Sequence, residues 1–147
     1  MKFATLILAA TCLIYSVDAA GKIVDLTNFH DKHYQMPIEL EVGDRFEIKI
    51  RENPTTGYKW LQLDQELEKH GLQDVIVLSE SRYKSDDNPR GASGVGGTRF
   101  LEFTALKPGL GDLHLIMARS WELETILDIT EELDSYVSKL IPVRVSK

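Results

Sequence analysis

Three short stretches carry the residues best suited to chemistry at a surface: Asn53-Pro54-Thr55-Thr56-Gly57-Tyr58, Gly94-Val95-Gly96-Gly97 and Arg119-Ser120-Trp121-Glu122. None sets a nucleophile beside a base, so their chemistry is that of contact. Asn and Pro start a turn and Gly57 supplies a positive φ, which leaves Thr55 and Thr56 as β-branched residues at a turn, where they gain nothing from packing. Tyr58 and Trp60 follow and can brace that turn from below. A run of glycines bares its backbone, so it can lie in a cleft and pair with another main chain. Arginine and tryptophan are types that dominate the binding energy of interfaces. Each stretch also has a plainer reading: a common turn, a flexible linker, and a tryptophan lid over a core.

The catalytic alternatives fail on spacing. Gly91-Ala92-Ser93-Gly94-Val95 misses a nucleophile elbow, because Val95 stands where glycine is required. No Gly-Lys-Ser/Thr follows the glycines and the next segment reads as a strand, which rules out a phosphate cradle at a helix N-terminus. His30-x-x-His33 with Asp31 has no third histidine at a telling distance. The acidic run Glu122, Glu124, Asp128, Glu131, Glu132 and Asp134 lacks the glycine-punctuated ligand spacing of a calcium loop. They read as surface histidines and a solvated face. The four histidines, His30, His33, His70 and His114, lie beside no recognisable nucleophile motif. The expectation is a protein that is not an enzyme, with no catalytic residue, no metal and no cofactor.

The elements that must hold these stretches follow from the rest of the chain. Lys2, the apolar run 3–17 and the small residues Ala19 and Ala20 read as a secretory signal peptide over residues 1–19, cut after 19 or 20. Residues 20–147 then form one domain, long enough to bury a core unaided. The sole cysteine, Cys12, lies in the signal segment, so the mature domain has neither thiol nor disulfide. The net charge of −6 argues against nucleic acid and anionic membranes as partners. No later segment has the roughly 20 apolar residues of a spanning helix. Asn53-Pro54-Thr55 has the proline that forbids glycosylation, so the first stretch stays free of sugar.

Periodicity predicts strands over 22–26, 38–42, 46–50, 58–63, 75–83, 98–106, 113–118 and 136–145. The pair 38–42 and 46–50 reads as a hairpin joined at Gly43-Asp44. Residues 64–71 read as a short helical turn ended by Gly71, residues 107–112 as turn chemistry, and residues 123–135 as an acidic loop or short helix. Pro142 places the last strand at an edge or a bulge. Seven or eight short strands with turns between them indicate an all-β, immunoglobulin-like β-sandwich. Alternate connections of such a sandwich emerge at one end, so the three stretches cluster there.

In order and wording the three stretches resemble those of the chagasin-type inhibitors of papain-like cysteine proteases. The hexapeptide 53–58 is nearly word for word that family's first signature, and Gly94–Gly97 matches its Gly-x-Gly-Gly loop. Arg119-Ser120-Trp121 departs from its Arg-Pro-Trp, with serine in place of the stiffening proline. The resemblance implies a secreted, reversible inhibitor acting as a monomer, with papain-like (cathepsin-type) proteases as partners. It implies that Thr55-Thr56 sits over the catalytic cysteine and histidine, that Gly94-Val95-Gly96-Gly97 runs along one side of the cleft, and that Arg119, Ser120 and Trp121 pack on the other. The compartment expected is the secretory pathway, outside the cell or in lysosome- or phagosome-like vesicles. The alternatives are a non-inhibitory β-sandwich module for adhesion or ligand binding, which has no need of all three loops together, and a Ser/His/Asp hydrolase.

Overall fold

The structure, a computed structural model, describes residues 21–88, 90–91, 94–123 and 136–147. Alternation of apolar and polar side chains builds its frame, because successive residues of a strand face opposite ways. In β3 (Arg45–Glu52) Phe46, Ile48 and Ile50 face inward between polar neighbours, and in β2 (Ile38–Glu41) Ile38 and Leu40 do the same. With β1 (Lys22–Asp25), β4 (Lys59–Gln62), β5 (Ile76–Ser85), β6 (Gly97–Ala105), β7 (Gly109–Ala118) and β8 (Ser138–Ser146) they form two four-stranded sheets, ordered β1-β3-β6-β5 and β2-β8-β7-β4. The inner faces close on Phe46, Ile48, Leu101 and Phe103 from one sheet and Leu113, Leu115, Ile141 and Val143 from the other. Phe46 and Phe103 stack with centroids 5.1 Å apart. Emptying either site to alanine costs about 3–5 kcal/mol. This is the expected all-β sandwich, with the strand count at eight among the described residues.

Three local expectations need correcting. The strands on either side of Gly43 are not a hairpin: β2 pairs in parallel with β8, while β3 pairs with β1 and β6 in the other sheet. Alternation reports which face of a strand is buried, and two strands that face each other across the core alternate just as two paired strands do. Pro142 lies in an interior strand, between β2 and β7. Leu140, two residues before it, exchanges backbone bonds with Lys32 and Tyr34 on the β2 side. Residue 142 faces the same way, but β2 pairing begins only at Val143, so the missing N–H falls in a gap of the ladder. Residues 109–112, read as a turn, are the start of β7, paired with Pro142 to Val145.

The short helix α1 (Asp64–Lys69) follows β4, and the chain turns at Gly71 as expected. β4 covers only Leu115–Ala118 of its neighbour, and α1 packs along β7 beyond it. The acidic segment 124–135 and residues 1–20, which include the expected signal peptide 1–19, lie outside the described residues.

Candidate functional site at one end of the sandwich

Strand register brings the three stretches together. Gly97, the first residue of β6, pairs with Glu52, the last of β3, and with Ser85, the last of β5. In the other sheet Lys59, which opens β4, pairs with Ala118, which closes β7. The connections β3–β4, β5–β6 and β7–β8 therefore leave from the same end. They carry Asn53–Tyr58, Gly94–Gly96 and Arg119–Glu122. Gly97 itself is buried in β6, so it belongs to the frame more than to the loop.

The first loop is a single 3-10 turn, Pro54–Thr56. Asn53 caps it: its Oδ1 accepts from the Thr55 N–H at 3.3 Å and the Thr55 hydroxyl at 2.6 Å. The Thr56 hydroxyl donates to the Asn53 carbonyl at 2.9 Å. Gly57 closes the turn at φ +82°, a left-handed conformation costly for any residue with a Cβ. Both threonines are exposed, as a contact surface requires. Of the two aromatic residues expected to brace the loop, Trp60 does so from the core, its indole N–H donating to the Arg51 carbonyl at 2.8 Å. Tyr58 is half-buried and braces the third loop instead, under the Arg119 guanidinium at 4.4 Å.

Side chains tie the loops into one surface. The amide of Asn53 donates from Nδ2 to the Gly94 carbonyl at 3.0 Å, linking the first loop to the second. The base of the second is fixed where the Asp86 N–H donates to the Gly96 carbonyl and where Arg51 grips Asp86 through two hydrogen bonds, 2.9 and 2.6 Å. Those bonds hold the Asp86 carboxyl below the usual carboxylate value. Arg119 joins the third loop to the first, donating from Nε to the Thr56 carbonyl at 3.2 Å. Trp121 is 64% exposed, and the edge of its ring lies over Gly57, where a Cβ would stand 2.5 Å from Cη2. The tryptophan is a lid, but over the first loop and not over the core. An open concavity of 390 Å³ beside the first two loops is lined by Arg51, Glu52, Asn53, Thr56, Tyr58, Gly96 and Met117.

One supporting residue escaped the sequence reading. The alternation of β3 carries past Ile50 and turns Glu52 inward, where its side chain is wholly buried. Its carboxylate accepts the Trp60 N–H at 2.8 Å and pairs with Arg99 at 2.6 Å. A charge in phase with a buried apolar face was the available signal.

The sequence matches the chagasin family of peptidase inhibitors (I42) over residues 39–134. This chain belongs to that family. It is thus an inhibitor and not an enzyme, of the class whose targets are papain-like cysteine proteases, as the three stretches implied. The chagasin-family chain is 31% identical to amoebiasin-1 over 84 residues, 57% of its own length and 74% of that protein. It is 28% identical to amoebiasin-2 over 92 residues, 63% and 69% of the two lengths; both relatives come from Entamoeba histolytica. Its fold is that of EhICP2, a cysteine protease inhibitor from Entamoeba histolytica, at a TM-score of 0.58 and 23% identity over 86% of this chain and 98% of the other. It also resembles PbICP-C, solved in complex with falcipain-2, at 0.50 and 17% over 86% and 100%.

Proposed function

We propose that this inhibitor blocks the active-site cleft of a papain-like cysteine protease with the three joined loops, and that the residues in contact are Asn53, Pro54, Thr55, Thr56, Gly57, Tyr58, Gly94, Val95, Gly96, Arg119, Ser120 and Trp121, with Gly97 supporting the second loop. The observation that carries the reading is the coupling itself. Asn53 reaches Gly94 and Arg119 reaches Thr56, so three loops from two sheets present one surface. A surface ordered before binding loses less conformational entropy on association. The exposed Thr55-Thr56 turn enters at the centre, over the catalytic cysteine and histidine. The Gly94–Gly96 backbone lies along one wall and Trp121 along the other. No side chain of the surface is an electrophile that the protease thiolate could trap, so inhibition is reversible and competitive. The protein reaches its target through the secretory pathway, with residues 1–19 as the signal peptide.

The test is a pair of assays. Purified protein is titrated against papain and, in parallel, against trypsin. Competitive inhibition of papain alone is expected, with the intact mass of both proteins unchanged. Equal inhibition of trypsin, or a covalent adduct, would sink the reading. The N-terminal sequence of protein recovered from a secreting cell should begin at residue 20 or 21, and a chain retaining Met1 would count against export.

A further inference from the structure

We propose that Glu66, His70 and His114 are the ligands of a divalent transition-metal ion, zinc foremost, that clips α1 to β7. The spacing of His30 and His33 offers no metal site. The fold brings together three other groups, from segments 44 residues apart. Glu66 Oε2 lies 2.6 Å from His114 Nδ1 and 3.2 Å from His70 Nε2, and the three ligand atoms all lie within 4.8 Å of one another. Around a tetrahedral ion with bonds of about 2.0–2.1 Å, neighbouring ligand atoms stand about 3.3 Å apart. The longer contact already has that spacing, and the shorter needs to open by about 0.7 Å.

The backbone holds this arrangement before any ion arrives. Glu66 and His70 are four apart at α1, which puts them on one face. Gly111 lets the end of that helix close on β7, because a Cβ there would overlap the His70 carbonyl oxygen. His114 stands three residues further along the same strand. Two imidazoles and one carboxylate form a ligand set suited to zinc and its neighbours, and three protein ligands leave a fourth position for water. His70 is only partly buried, so that position opens toward solvent, while Glu66 and His114 are 3% and 5% exposed.

Both imidazoles turn a ring nitrogen to the same oxygen of Glu66, so the candidate ligand atoms already converge on one point. The described residues contain no cysteine, so a cross-link within them has to be built from such side chains.

Calorimetric titration of the purified protein with zinc chloride should give one ion per chain. Zinc at a hundredfold excess over its dissociation constant should raise Tm by roughly 10 °C, reversed by EDTA. Cobalt in its place should give the visible absorption of a four-coordinate nitrogen and oxygen site. His70→Ala, at the partly exposed ligand, should abolish the cobalt spectrum and the zinc-dependent rise while the circular dichroism of the sandwich persists. His33→Ala should change neither. An unchanged Tm in zinc and EDTA, or binding that survives His70→Ala, overturns the proposal. Should His70→Ala fail to fold, the wild-type stoichiometry, cobalt spectrum and EDTA reversal still decide it. Inhibition of papain reads the loops, on the far end of β7, so failure of either assay leaves the other proposal standing.

Discussion

Asn53 does two jobs with two atoms. Its carbonyl oxygen caps the first loop and its amide nitrogen holds the second. Asn53→Asp keeps the cap, since aspartate serves as well there, and removes the donor to Gly94. It should weaken papain inhibition by about 0.5–1.5 kcal/mol, the net value of one hydrogen bond, with Tm nearly unchanged. An inhibition constant equal to wild type would show that the loops need no tie. Trp121 is more exposed than a core residue and touches Gly57. Trp121→Ala should therefore melt as wild type does and lose roughly 2–4 kcal/mol of binding, as a truncated hot spot does. If it unfolds the protein, the ring belongs to the core; if it inhibits normally, the third loop is outside the contact. Ser120 occupies the second position of a turn in which the Glu122 N–H donates to the Arg119 carbonyl. Proline is favoured at that position. Ser120→Pro should tighten inhibition by about 0.4–1 kcal/mol by reducing the freedom of the unbound loop, and weaker inhibition in a stopped assay series would show a turn of another shape.

Beneath the loops, β3, β4 and β6 meet at Glu52. Its carboxylate serves the Trp60 N–H and the Arg99 guanidinium at once, with almost no access to water. Glu52→Ala leaves a partly buried arginine and a backbone donor without an acceptor. It should cost about 3–5 kcal/mol of stability and loosen residues 53–58, which a urea melt and hydrogen exchange at Trp60 would report together. A loss under 1 kcal/mol would mean that water replaces the carboxylate. The same strand shows what a sequence conveys and what it withholds. The alternation Phe46, Ile48, Ile50 tells which face is buried, and it continues to Glu52, a charged residue in phase with the apolar ones. Pairing partners are a different matter. Nothing local in residues 38–50 says whether two alternating runs lie side by side or face to face, so the hairpin expectation failed while the sandwich did not. Pro142 misled for a similar reason, since the gap it occupies is made by where β2 begins. The turn residues Asn53, Gly57 and Gly71 were read correctly because their chemistry acts within a few residues. The cluster Glu66, His70, His114 was invisible, being assembled by register and helix packing alone.

For the whole molecule the consequential variable is pH, because cathepsin-type enzymes work in acid. The three loops contain no histidine, so none of their side chains gains charge between about pH 7 and 5. The ion pair that anchors the second loop is also safe there. The hydrogen bonds from Arg51 pull the Asp86 carboxyl down, a small desolvation opposes them, and the Arg51 charge adds to the fall. A carboxyl whose folded pKa lies below its unfolded value stabilises the fold above that unfolded value, about 3.9 for aspartate. That contribution disappears only as pH falls through the folded pKa. Asp25, held down by its hydrogen bonds from Thr27, follows the same rule. The window of loss thus lies below about pH 4. A change in the net charge of −6 would alter long-range steering more than contact. The expected outcome is an inhibition constant at pH 5 within about threefold of that at pH 7, with any change appearing in the association rate and fading at high salt. A loss of affinity with a midpoint near 6, reproduced with the enzyme held constant and the inhibitor pre-equilibrated, would place a histidine in control of the loops and contradict their independence from the rest of the fold.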